Sequence, residues 1–119
     1  INQEKITING GHQSRDFVFV DDVVSLIEKS IEISLHRKVC EVLNVLTGTS
    51  VSIDCLADKI IKIVNSSSNK IYTELPVGDP IESNGTINKL SRLLNVKTSD
   101  FVTLDKGLKM TVNGMRLGV

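Results

Sequence analysis

The sequence predicts an α/β fold, a small and largely parallel sheet with flanking helices, in a single domain over residues 1–119. Three observations lead there. Short runs of β-branched and aromatic residues alternate with segments whose apolar residues recur at helical spacing, the order expected of strands joined through helices. Turn-forming clusters punctuate them at Asn9-Gly10-Gly11, Thr47-Gly48-Thr49, Ser66-Ser67-Ser68 and Gly78-Asp79-Pro80. With 119 residues and 40% hydrophobic content, the chain can build one core and no more.

Residues 5–8 alternate polar and apolar side chains and read as a strand, which Asn9-Gly10-Gly11 closes with residues that tolerate positive φ. The stretch Arg15-Asp16-Phe17-Val18-Phe19-Val20-Asp21-Asp22-Val23-Val24 then joins three different tasks. A cation and a carboxylate lead into a run expected to be a buried strand, and two aspartates stand where a helix should begin. In that helix Val23, Val24, Ile27, Ile31 and Leu35 form one face, with Glu28, Lys29, Glu32 and Arg37 largely on the other. Val39, Val42, Leu43 and Val45 make a compact run expected to be a second buried strand, halted by Thr47-Gly48-Thr49. Ser52 is placed to cap a second helix striped by Ile53, Leu56, Ala57, Ile60 and Val64, with Asp58 and Lys62 as an i,i+4 pair. Residues 70–74 read as another strand before Pro76 and the Gly-Asp-Pro turn. Thr86 precedes a brief helix carrying Ile87, Leu90 and Leu94, with Asn95 as its stop. Thr103 and Asp105 open a last helix, expected to fray after Gly114.

Composition narrows the partners. Fourteen basic and 14 acidic residues give zero net charge, and the only aromatic side chains are Phe17, Phe19, Tyr72 and Phe101. A chain without a basic field or stacking platforms is not expected to bind nucleic acid. Cys40 and Cys55 lack CxxC spacing and read as buried thiols, so they are not expected to join His12 and His36 around a metal. No run approaches the ~20 apolar residues of a membrane span, and no leader opens the chain; a reducing cytoplasm is the expected setting. Arg15 beside a helix start keeps two readings open. It can clamp a phosphate in two-point fashion, or it can sit in a surface ion pair while Asp21 and Asp22 merely cap the helix.

The blocks Gly11-x-Gln13-x-Arg15-Asp16-Phe17-Val18-Phe19-Val20-Asp21-Asp22, Asn44-Val45-x-Thr47-Gly48, Ser52-Ile53-x-x-Leu56-Ala57, Gly78-Asp79-Pro80 and Lys89-x-x-x-Leu93-Leu94 occur in an order and spacing with a precedent. They resemble the C-terminal substrate-binding region of the extended short-chain dehydrogenases, the NAD-dependent nucleotide-sugar epimerases and dehydratases. Closing Gly107-Leu108-Lys109-x-Thr111-Val112 resembles the last helix of that family. The resemblance covers nearly the whole chain. It implies the C-terminal part of such an enzyme without its Rossmann half, and a UDP- or dTDP-type nucleotide sugar as ligand. Arg15 falls at the position of an arginine on the diphosphate, Gln13 on the same approach, and Asp79 at an aspartate near the ribose.

Three family features are altered. Pro76 stands where a second phosphate-binding arginine is usual, Gly85-Thr86-Ile87-Asn88-Lys89 replaces an Ala-Asp-x-Ser-Lys block, and Leu46 stands where a glycine is common in the Gly-Thr-Gly loop. Two others are missing. No Gly-x-x-Gly-x-x-Gly loop is present to hold a dinucleotide, and the sole tyrosine, Tyr72, has a proline four residues on, so there is no Tyr-x-x-x-Lys pair. The resemblance therefore implies no catalytic or cofactor-binding residues in this chain. NAD or NADP and the catalytic tyrosine and lysine would belong to an N-terminal domain of a longer parent, and the chain alone is expected to be inactive with no cofactor bound. An opening at Ile1 without an initiator methionine fits that expectation. Separated from such a partner, the chain should expose apolar surface or a sheet edge and self-associate or exchange strands. A non-catalytic binding or assembly module that keeps the fold is the alternative.

Overall fold

A computed structural model describes residues 4–37 and 40–118. The elements run β1 (Ile6–Asn9), β2 (Ser14–Asp16), α1 (Val20–His36), β3 (Ser50–Ser52), α2 (Ile53–Val64), β4 (Lys70–Thr73), α3 (Asn88–Leu94) and α4 (Leu104–Leu117), with a 3-10 turn at Thr98–Asp100. The fold is mixed α/β, as the alternation predicts. β1 and β4 pair in parallel from Ile6 opposite Lys70 to Asn9 opposite Thr73, and α2 lies between them in the chain. Beside this sheet stands an antiparallel ribbon, in which Ser14, Arg15 and Asp16 of β2 face Ser52, Val51 and Ser50 of β3.

Caps explain most helix boundaries. Ser52 Oγ accepts from Cys55 N at 3.2 Å to start α2, and Asn65 ends it in the left-handed region with φ 52°. Asn95, also at φ 52°, stops α3 where the sequence indicates. Thr86 Oγ1 accepts from Asn88 N at 3.2 Å at the start of α3. α4 continues through Gly114 to Leu117, and Gly118 closes it at φ 73°.

Two expected strands do not form among the described residues. Phe17, Val18 and Phe19 leave the ladder at Asp16, and the helix begins at Val20. Strand propensity reports fit to a pleated, partnered surface, and no neighbouring strand offers backbone groups there. The three side chains are half-buried instead: Val18 packs against the main core, and Phe19 Cδ2 lies 3.2 Å from where a Cβ on Gly107 would stand. Residues 40–49 form no ladder either, although Leu43, Val45 and Leu46 still pack against the core. Val39, which belongs to that run, lies outside the described residues.

Both cysteines are exposed, not buried. The buried residue of α2 is Ala57, and Cys55, two positions away at about 100° per residue, is turned to the opposite side. Asp58 pairs with Lys70 Nζ at 2.7 Å across to β4 instead of with Lys62. The main core consists of Leu26, Ile87, Leu90, Leu94, Val96 and Phe101, from α1, α3 and the segment leading to α4. α1 contributes only Leu26 as a buried side chain, while Val20, Val24, Ile27, Ile31 and Leu35 are 48–78% exposed along one stripe.

Those exposed side chains belong to a thin molecule. The radius of gyration is 17.2 Å and the extents are 52 × 37 × 21 Å, against roughly 13.5 Å for a compact domain of this length. Accessible surface is 8585 Å², about 2,000 Å² more than a folded monomer of this mass ordinarily keeps. Among the described residues no helix is long and apolar enough to cross a membrane.

Candidate functional site

A tight turn delivers the polypeptide into β2. Gly10 and Gly11 hold φ of 72° and 102°, values that only glycine adopts readily, and a Cβ on Gly11 would stand 3.2 Å from the Tyr72 ring. Gln13 is 6% exposed and spans this turn. Its Oε1 accepts from Gly11 N at 2.7 Å, and its Nε2 donates to Asn9 O at 2.6 Å. Carbonyls of the same turn receive the first N–H groups of α2, with Asp54 N on Gly11 O at 2.9 Å and Ile53 N on Gln13 O at 3.0 Å. The Gln13 amide is thus directed into the turn.

Arg15 follows at the centre of β2, opposite Val51. Its guanidinium donates to Ser14 O at 2.7 Å through Nη1 and lies 4.0 Å from Asp79 Oδ1 through Nη2. The side chains are 25% and 47% exposed, so this long pair adds little to stability and leaves most of the fork free for an anion. Asp79 reaches the site because the chain that follows it runs alongside β2 at Ile81 and Glu82. Asp79 N donates to Pro76 O at 3.1 Å in a turn with Gly78 at φ 93°, and Ser14 N donates to Ile81 O at 2.9 Å. Ser14 and Glu82 form a parallel bridge. The structure therefore gathers Arg15 and Asp79 at one solvent-facing edge and turns Gln13 inward behind them.

Asp16, not singled out by the sequence, fixes the other side of β2. Its carboxylate accepts from Thr47 N and Thr47 Oγ1, both at 2.8 Å, and from Gly48 N at 2.7 Å. Nothing local signals this, since the partners are 31 and 32 residues away; only the joint presence of the Arg-Asp-Phe and Thr-Gly blocks hints at it. Of the two helix-start aspartates, Asp22 Oδ2 accepts from Val102 N at 2.8 Å, a long-range tie that holds α1 to the approach of α4.

A second polar cluster links α2 to β4. Lys70 Nζ donates to Asp54 and Asp58 at 2.7 Å each, and the Tyr72 hydroxyl also donates to Asp54. The bonds from Lys70 and then Tyr72 hold Asp54 below the usual carboxylate range. Hydrogen bonds to Asp54 and Asp58 push Lys70 above the usual ammonium range, and the bond to Asp54 raises Tyr72. Every charge in this cluster has a partner, so its role is to pin strand to helix. Among the described residues no group of three or more His, Cys, Asp or Glu side chains could hold a metal ion.

No family model matches the chain. An uncharacterized protein of Methanocaldococcus jannaschii is 26% identical over 113 residues, spanning 95% of this chain and 33% of that protein. Among solved structures, the UDP-glucose 4-epimerase of Thermotoga maritima, held with UDP-glucose, superimposes with a TM-score of 0.83 and 28% identity, covering 98% of this chain and 36% of that one. The UDP-N-acetylglucosamine 4-epimerase of Methanobrevibacter ruminantium, in complex with UDP-N-acetylmuramic acid, gives 0.74 and 27%, covering 97% and 36%. The chain spans about a third of the length of these proteins. It has the fold of the C-terminal part of the extended short-chain dehydrogenases, the group that contains NAD-dependent UDP-sugar 4-epimerases and sugar dehydratases.

Proposed function

We propose that this chain is the nucleotide-sugar-binding part of an NAD(P)-dependent epimerase or dehydratase, in which Arg15 grips the diphosphate and Asp79 accepts a hydrogen bond from a ribose hydroxyl. The observation that carries it is the convergence of Arg15 and Asp79, from distant parts of the sequence, to 4.0 Å on one exposed edge. A fork cation beside a carboxylate acceptor matches a diphosphate joined to a ribose, the first needing bidentate donors and the second an acceptor. Gln13 serves by holding the turn that aims β2, and Asp16 by anchoring the strand from behind.

The chain's own contribution is to bind and orient. A nucleotide fixed at its diphosphate presents its sugar in one position, which converts a bimolecular encounter into an intramolecular one. NAD or NADP would supply hydride transfer in the parent, but these 119 residues hold no dinucleotide loop, so the cofactor and the catalytic pair would lie in a separate Rossmann domain. The exposed stripe of α1 and the ~2,000 Å² of excess surface support a covering partner of that kind. A second reading, a non-catalytic assembly module, is favoured by Pro76 in place of a second phosphate-binding arginine.

Steady-state kinetics of the parent enzyme on UDP- and dTDP-hexoses test the proposal. Arg15→Ala should raise KM at least about tenfold, since one charge-assisted contact is worth roughly 1.5–3 kcal/mol. An unchanged KM would remove Arg15 from the site, and a parent with no turnover and no nucleotide affinity would favour the assembly reading.

A further inference from the structure

We propose that the groove between α2 and α4 binds a small, multiply charged anion of the phosphate class, in a cavity of about 440 Å³ lined by Lys59, Lys62, Ile63, Asp105 and Lys109. No residue of β2, of β3 or of the turn at Gly78 lines it, so it stands apart from the Arg15 edge.

Helix periodicity assembles the groove. Lys59, Lys62 and Ile63 follow at i, i+3 and i+4 on α2, and Asp105 and Lys109 at i and i+4 on α4, so each helix turns one charged face to the gap. Lys59 Nζ bridges the helices with a 2.6 Å bond to Asp105 Oδ1. That bond, and then the charges of Lys109 and Lys62, hold Asp105 below the usual carboxylate range, which sets both further ammonium groups within electrostatic reach of the same carboxylate. The i,i+4 pair that the sequence suggests for Lys62 is not made, because Asp58 turns to Lys70. Among the described residues neither Lys62 nor Lys109 enters an ion pair.

Charge selects the ligand. Three ammonium groups surround one carboxylate, which concentrates two unbalanced positive charges on a chain whose net charge is zero. A cavity of this volume is roughly 8 Å across, about one Debye length at physiological salt, so a single anion inside it is attracted by all three cations. Lysines are compact point charges on rotatable stems and suit the non-planar oxygens of a phosphate, whereas a planar carboxylate is met best by an arginine fork. Ile63 is the one apolar residue of the lining, so recognition rests on charge.

The anion could be inorganic or the phosphate of an organic ester, and the test separates them. Backbone amide NMR of the 119-residue chain would be titrated with inorganic pyrophosphate and with glycerol 3-phosphate at about 0.15 M salt. At least one of them should shift the amides of Lys59, Lys62, Asp105 and Lys109 in a saturating manner, and the tighter of the two identifies the source. Joint Lys62→Gln and Lys109→Gln should weaken that anion at least about tenfold while leaving the unfolding midpoint in place, because neither lysine loses an ion pair. Arg15→Ala should leave these shifts unchanged, which separates the groove from the Arg15 edge. Lys106→Gln removes a neighbouring exposed cation that does not line the cavity, and should weaken the anion by less than about twofold. Shifts that fail to saturate, a double variant that titrates like the unaltered chain, or Lys106→Gln weakening binding as much as the double variant would overturn the proposal, the last by showing diffuse attraction to a charged surface.

Discussion

Asp16→Ala isolates the tie that sets β2. The side chain accepts three hydrogen bonds of 2.7–2.8 Å, two from Thr47 and one from Gly48. Bonds to an ionised group are worth roughly 1.5–3 kcal/mol when sheltered and nearer 0.5–1.5 when water can replace them. Gly48 is exposed and Thr47 half-buried, so the lower range applies and the three, which share one carboxylate, add less than fully. Asp16→Ala should therefore cost about 2–3 kcal/mol, or on the order of 8–12 °C in Tm for a domain of this size. Asp16→Asn keeps one acceptor oxygen for Thr47 but points an amide at Gly48 N, and should cost about half as much. Urea unfolding followed by circular dichroism reads the change as a lower midpoint with an unaltered slope. A change under about 0.5 kcal/mol for Asp16→Ala would refute the anchoring role and leave Arg15 on a strand held by its ladder alone.

Acid should destabilise the fold in a defined window. Glu41, Asp54 and Asp105 are held below the ordinary carboxylate range by hydrogen bonds from Lys89, Lys70 and Lys59, so their contribution is present above about pH 4 and lost as pH falls through their lower folded values; urea midpoints at pH 5 and pH 3 should differ, and Lys70→Met should shrink the difference. Lys59 and Lys70 are raised by the same bonds, so their contribution is complete below the ordinary lysine range near pH 10 and fades as pH rises past it. The exposed stripe of α1 should drive self-association of the isolated chain, with sedimentation velocity showing a concentration-dependent species that Ile27→Glu with Ile31→Lys removes; a double variant that sediments like the unaltered chain would clear the stripe.

Helices were the most legible part of the fold, because their signals are local. Ser52 and Asn95 mark boundaries by their own cap chemistry, and Leu90 and Leu94 reach the core by their own spacing. Strands were legible only where the chain supplies their partners: residues 6–9 find Lys70–Thr73, whereas residues 17–19 and 40–49 carry strand-like sequences and no ladder. The same limit explains α1, whose apolar face could be read but not the fact that most of it stays open to solvent. At the candidate site, Arg15 could be picked out by its place before a helix start, and the resemblance added Asp79. Their proximity, the inward course of the Gln13 amide and the Asp16 tie depend on contacts between distant segments, which periodicity does not encode.

The most direct measurement of the central claim is isothermal titration calorimetry of the parent protein with UDP-glucose, dTDP-glucose and uridine, before and after Arg15→Ala and Asp79→Ala. At least one nucleotide sugar should bind, weakened about tenfold or more by Arg15→Ala and by a smaller factor by Asp79→Ala, with uridine indifferent to Arg15 because it lacks phosphate. No heat with any nucleotide sugar, or equal affinity in all three proteins, would contradict it.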